Sequence, residues 1–235
     1  MKIIMLALTF MATVFIGLVL PCFAQNAMQT QEDVQAAQLA MQKAEQGDAE
    51  AQYILGIMYE DGSGVTQNRA KAFLWYEKAA LQGYKDAQSA LAWMYDTGSG
   101  APQDYYKAVQ WYKKAAIQDD PESENRLAYF YSIGLGVEQN YDQALFWCTK
   151  AANQNYANAQ LQLATMYALG NGVSQDFIQT YKWASIAAMR GKAEAVALRE
   201  DIAQEMTPEQ LAEAQRLARE WKPTIPKHNA QERGE

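Results

Sequence analysis

Four passages of this 235-residue chain repeat one another at a spacing of 36 residues. Leu55, Leu91, Leu127 and Leu163 share one column, and Tyr59, Tyr95, Tyr131 and Tyr167 share another. The pair Gly62/Gly64 returns as Gly98/Gly100, Gly134/Gly136 and Gly170/Gly172. Trp75, Trp111, Trp147 and Trp183 follow, each with an Ala-Ala pair four residues on (Ala79-Ala80 in the first copy). A fixed period of about 20–50 residues marks a stack of identical supersecondary units. One such unit has too little apolar surface to fold alone, so neighbours must cover each other.

Each copy reads as two helices. In the first, Asp48 is placed to cap a helix over 49–60, and Gly62-Ser63-Gly64 stops it. Gln67-Asn68 opens a second helix to about Gln82, and Gly83 ends it. Asn68, Asp104, Asn140 and Asp176 share the second cap column; their side chains accept from the free N–H groups of a helix start. Leu55 and Tyr59 lie on one face of the first helix, and Ala72, Trp75 and Ala79 on one face of the second. The Trp and Tyr columns are expected to be core. Small residues at Ala51, Ala87, Ser123 and Ala159, and at Gly56, Ala92, Ala128 and Ala164, let helices approach closely.

The third copy departs from the others. Asp119 replaces the helix-ending glycine, Pro121 fits the first turn of the next helix, and Ser123, Asn125 and Arg126 make that helix more polar. A local weak point or a change of curvature is expected there. Cys148 is the one cysteine beyond Cys22, so no internal disulfide is expected in the repeats. It reads either as a small buried hydrophobe or as a thiol available for intermolecular chemistry.

The ends carry different signals. Lys2, an apolar run over 3–20 and Pro21-Cys22-Phe23-Ala24 read as a secretory signal peptide cut after Ala24. Residues 25–46 read as a polar lead-in and a capping helix in register with the second half of a repeat. The four repeats occupy 47–82, 83–118, 119–154 and 155–190. Residues 191–222 form C-terminal capping helices, with Thr207, Pro208 and Gln210 as a capping box, and 223–235 a disordered tail. The formal net charge is −7, and loss of Lys2 makes it more negative. Such a chain repels phosphates, which argues against nucleic acid as partner. His228, the sole histidine, lies in the tail. That removes His-based triads and His-ligated zinc from the repeats. No metal or cofactor is expected.

The pattern A-x-x-x-L-G-x-x-Y-x-x-G-x-G-V, then D-x-x-x-A-x-x-W-x-x-K-A-A-x-x-G, is fullest in 51–83 and 87–116. It resembles the Sel-like repeat family, a branch of the tetratricopeptide superfamily. The likeness spans about 47–191, and the stretch from Met206 to Trp221 resembles the tail found after such repeats in bacterial exported proteins. The resemblance implies an all-α, right-handed α/α superhelical solenoid acting as an adaptor for protein partners, with members linked to envelope assembly, signalling and host interaction. Cysteine-rich relatives carry a disulfide in each repeat, a pattern absent here. Thr180 and Ile186 depart from the alanine and lysine of the earlier copies.

Repeat folds share their core columns and vary their binding columns. First-helix positions off the Leu/Tyr face form one variable stripe: Tyr53, Ile57 and Glu60, then Ser89, Trp93 and Asp96, then Asn125, Tyr129 and Ser132, then Leu161, Thr165 and Ala168. Steps of four and three keep each trio on one helical face. In the related tetratricopeptide fold these positions line the concave groove. Trp93 and Tyr129 read as anchors for a peptide or helix partner, or as fillers against a neighbouring helix. Glu60 and Asp96 read as an acidic rim favouring a basic segment, or as solvated helix-end charges. The resulting expectation is a monomeric, non-catalytic scaffold in the periplasm or outside the cell, with no membrane insertion after cleavage. Two alternatives stand beside it: a hydrolase acting on cell-wall material, and a membrane-anchored regulator with an uncleaved signal. No serine has lysine three residues later. The carboxylates Asp119, Asp120, Glu122 and Glu124 suit a charged loop and helix start better than a glycosidase pair.

Overall fold

The computed structural model describes residues 31–224. The expected signal segment and the tail beyond Thr224 lie outside these residues. The fold is an all-α repeat solenoid of sequential helix pairs. The chain divides into two compact units, Met1–Gln82 and Gly83–Glu235.

The first unit holds α1 (31–45), α2 (Ala49–Asp61) and α3 (Arg69–Leu81). Asp48 caps α2 by accepting the Ala51 N–H at 2.8 Å, and Asn68 caps α3 by accepting the Lys71 N–H at 3.0 Å. The α2–α3 seam buries Leu55, Tyr59, Ala72, Tyr76, Ala79 and Ala80. Gly56 makes room for the Tyr76 ring; a Cβ there would lie 2.5 Å from it. α1 covers the other side with Ala37, Ala40 and Ala44, and the Gln52 amide donates to the Ala44 carbonyl at 3.0 Å. Leu39, in register with Trp75, is exposed, and Ala40 after it is buried.

The second unit holds α4 (Lys85–Thr97), α5 (Tyr105–Ile117), α6 (Pro121–Ile133), α7 (Tyr141–Asn153), α8 (Ala157–Leu169), α9 (Phe177–Ala188), α10 (Ala193–Gln204) and α11 (Pro208–Glu220). Asp104, Asn140 and Asp176 cap α5, α7 and α9 as expected, and Pro121 stands in the first turn of α6. The capping box of Thr207 and Gln210 opens α11. Leu91, Leu127 and Leu163 are buried in their column. Cys148 is a buried free thiol that donates to the Ala159 carbonyl at 3.3 Å.

The turn inside each repeat is built by groups that recur in all four copies. Gly134 ends α6 at φ +73°, where a Cβ is disfavoured. Gly136 follows at φ +68°, and a Cβ on it would lie 2.6 Å from the backbone of Tyr105. The second glycine therefore serves close approach as well as chain reversal. Gln139 then reaches back, its amide donating to the Ser132 carbonyl at 2.7 Å. Gln67, Gln103 and Gln175 make the same bond to residues 60, 96 and 168. These bonds satisfy carbonyls left open at the end of the first helix.

The Trp column differs from expectation. Trp75, Trp111 and Trp147 are half-buried, and a lysine three residues on lies over each ring, at 3.8, 3.7 and 5.6 Å from its centroid. Trp183 alone is fully buried, because α11 brings Trp221 edge-on against it at 5.7 Å. The deep aromatic position is the next one along, Tyr76 and Tyr112, followed by Cys148 and Ala184.

Candidate partner-binding face

The variable stripe has members in both units. In the first, the Tyr53 ring packs 5.6 Å from that of Tyr76, and Ile57 is half-buried. Glu60 accepts the Tyr76 hydroxyl at 2.8 Å, while burial pushes the Tyr76 phenol well above its ordinary range, reinforced by Glu60.

In the second unit Asp96 faces Tyr112 in the same way, with the hydroxyl at 3.4 Å and Arg126 at 3.8 Å. Burial raises the Asp96 carboxyl, opposed by Arg126 and the Tyr112 hydroxyl. A carboxylate thus accompanies tyrosine sixteen residues on in the first two repeats. Where that later position holds Cys148 or Ala184, the stripe carries Ser132 or Ala168 instead. This paired change was visible in the sequence. It shows that Glu60 and Asp96 have internal partners.

The rest of the α4 and α6 stripe is partly engaged. Ser89 donates to Asp120 at 3.1 Å and accepts from Ser123 at 3.1 Å, joining the starts of the two helices. Asn125 is half-buried, and its Oδ1 has no partner among the described residues. Ser132 donates to the Tyr129 carbonyl at 2.8 Å. Trp93 is half-buried, and the Tyr129 side chain is 48% exposed. Its ring stands edge-on to the buried Phe130, 6.2 Å away, and Phe130 in turn meets Tyr105 and Tyr112 at 6.1 and 5.9 Å. Tyr129 is therefore an exposed aromatic propped on a packed aromatic cluster, with the open Ile133 one turn further on.

A second polar column lies inside the stack: Gln52, Gln88, Glu124 and Gln160 are all buried. Gln82 donates to Gln52, Gln118 to Gln88 and Gln154 to Glu124, at 2.8, 2.8 and 2.7 Å. These clasps bond polar side chains that would be costly if buried alone. At Glu124 the clasp carries charge: Lys150 bridges it and Asp119, each at 2.8 Å, and donates to the Ala116 carbonyl at 3.0 Å. Burial pushes Glu124 up to about 7, with Lys150 opposing. Burial also works against the Lys150 charge, but its bonds to Asp119 and Glu124 prevail and raise it.

Among the described residues, no cluster of three or more His, Cys, Asp or Glu is placed to hold a metal ion, and no helix is long and apolar enough to cross a membrane. The arrangement offers surface and anchoring, with its buried charges engaged in packing.

Comparison with known proteins agrees with this architecture. No match emerges among curated proteins. The chain is similar to the crystal structure of a Sel1 repeat protein from Oxalobacter formigenes, at 28% identity over 84% of this chain and 81% of the other, with a TM-score of 0.70. It is also similar to a protective antigen present in uropathogenic Escherichia coli strains and displaying an SLR fold, at 29% identity over 79% of this chain, with a TM-score of 0.54. The match spans about half of that antigen, 48% of its length. Residues 49–84, 85–120, 121–156 and 157–192 each match the Sel1 repeat, and the chain belongs to the Sel1 repeat family.

Proposed function

We propose that this chain is a non-catalytic scaffold of the bacterial envelope or the extracellular space, and that it holds a protein partner on the α4–α6 face through Trp93 and Tyr129. Sel1 repeat proteins typically act through protein interactions. The observation that carries the assignment of the face is Tyr129, half exposed yet backed by the buried Phe130. A rigid aromatic with one free side loses little entropy on binding and covers much area, which is why such residues anchor interfaces. The signal-like segment and the similarity to a protective antigen support an exported location.

The test is partner capture from native envelope fractions with full-length protein carrying a photo-crosslinking residue at position 133, beside Tyr129 and exposed. A discrete crosslinked protein, lost with Trp93→Ala while helix content and melting hold, supports the assignment. Capture unaffected by Trp93→Ala and Tyr129→Ala in a folded protein refutes it. Intact-mass measurement on protein from native cells tests export, with a chain beginning at Gln25 expected.

A further inference from the structure

The carboxamide clasp repeats three times and then stops. Gln82, Gln118 and Gln154 close it, but the fourth copy has Arg190 in that column. Gln160, with no solvent exposure, donates to the Ala152 carbonyl and to Asn155 Oδ1, both at 3.2 Å. Its own Oε1 has no partner among the described residues. Arg190 instead lines an open cleft of about 520 Å³ at the C-terminal end of the stack, with Asn155, Met189, Arg219, Trp221 and Pro223.

Two features of this cleft select a ligand. Arg190 and Arg219 are both exposed, and neither has a carboxylate partner among the described residues. Arg126, Arg199 and Arg216 do, and Arg69, the other described arginine without one, lies in the first unit. Two helix ends thus bring free guanidinium groups to one hollow of a chain whose formal net charge is −7. Guanidinium forks match a carboxylate in two parallel hydrogen bonds. The other walls are apolar: Met189 is exposed, and Trp221 is fixed by its contact with Trp183. Polyanions are disfavoured by the acidic surface as a whole, whereas a single carboxylate needs only the local cations.

We propose that this cleft docks an acidic peptide segment of a partner protein, its Glu or Asp carboxylate held by Arg190 and Arg219 and a neighbouring apolar side chain laid on Met189 and Trp221. The Asn155 Nδ2 hydrogens, unengaged among the described residues, are available to the peptide backbone. The site is separate from the α4–α6 face and does not depend on the assignment made there.

Calorimetry on full-length protein with acetyl-Leu-Glu-Leu-amide, against its neutral isostere acetyl-Leu-Gln-Leu-amide, tests the proposal. The Glu peptide should bind in the millimolar range expected for a ligand of this size and about tenfold more tightly than the Gln peptide. Arg190→Gln and Arg219→Gln should each weaken the Glu peptide by about tenfold and leave the Gln peptide unchanged. Arg190→Gln restores the residue used at 82, 118 and 154, so it should preserve folding. Arg216→Gln and Trp93→Ala should leave affinity unchanged. Equal binding of the two peptides, affinity indifferent to both cleft arginines, loss of binding with Trp93→Ala, or no binding at all overturns the proposal.

Discussion

Lys150 has left its tryptophan for Glu124: its ammonium lies 2.8 Å from Glu124 Oε1 and 5.6 Å from the Trp147 centroid. Lys78 and Lys114, in the same column, sit at 3.8 and 3.7 Å over Trp75 and Trp111. The cause is local. Asp119 and Glu124 stand where the second repeat has Gly83 and Gln88, and together they attract the lysine. The buried carboxyl is pushed up to about 7, by burial first, with Asp119 raising it and Lys150 and Gln154 opposing. A native pKa above the unfolded value means that the folded state holds the proton more tightly. The stabilisation is complete below the unfolded value of about 4.5 and disappears as pH rises through about 7. Urea midpoints should therefore fall between about pH 5 and about pH 8, and Glu124→Gln should flatten this slope. Equal slopes in the two proteins would refute the assignment.

Removing the lysine alone isolates the carboxylate. Lys150→Met should cost about 1–1.5 kcal/mol more at pH 8, where Glu124 is charged and must take up a proton to escape the loss, than at pH 5. Adding Glu124→Gln to Lys150→Met should recover most of the loss, because the new carboxamide can clasp Gln154 as Gln88 clasps Gln118. Denaturant melts of the two single variants and the double variant at both pH values give the coupling directly. A double variant as unstable as Lys150→Met would show that the loss arises elsewhere.

The aromatic pair Trp111-Tyr112 separates a repeated residue from a buried one. Tyr112 is 1% exposed and packs 5.9 Å from Phe130, whereas Trp111 is half-buried under Lys114. Tyr112→Ala should cost about 3–5 kcal/mol, and Trp111→Ala distinctly less. Thermal melts decide the order, and the reverse ranking would contradict the packing described.

That pair also shows where the sequence is legible. Matching letters at a fixed spacing reveal the helix pairs, the Asn/Asp caps of the second helices and the Leu column, because those roles admit few residue types. The deepest second-helix column is harder to see, since Tyr76, Tyr112, Cys148 and Ala184 differ in size and kind, each fitted to its own surroundings. Nothing in the sequence marks Gln52, Gln88 and Gln160 as buried, because burial of an amide is tolerated only through a partner thirty residues away or in a loop. On the candidate face, Tyr129 stands out as an aromatic off the repeat pattern and is exposed. Glu60 and Asp96 read as free charges because their tyrosine partners belong to the other helix.

The two glycines of a turn should not be equivalent. Both Gly134 and Gly136 have positive φ, but a Cβ on Gly134 meets Gln139 at 3.2 Å, and one on Gly136 meets the Tyr105 backbone at 2.6 Å. Gly134→Ala should cost about 1–2 kcal/mol, from left-handed strain. Gly136→Ala adds a clash that only backbone movement relieves, so its loss should be larger, about 2–4 kcal/mol. Equal losses in urea melts would show that the turn and α5 separate easily.

Cys148 provides a probe of opening in the third repeat, where the buried charge lies. Its thiol is wholly buried, donates to the Ala159 carbonyl, and is raised by burial well above the ordinary thiol range. Only the thiolate attacks disulfide reagents, so the folded protein should be almost unreactive. Labelling should then proceed through opening of the α7–α8 packing, with a rate that tracks local stability. Glu124→Gln should slow it at about pH 8 after correction for the free-thiol rate, because an uncompensated desolvation is removed one helix away. Lys150→Met should accelerate it. Rapid labelling of the native protein, at the rate of an unfolded thiol, would contradict the burial on which this argument depends.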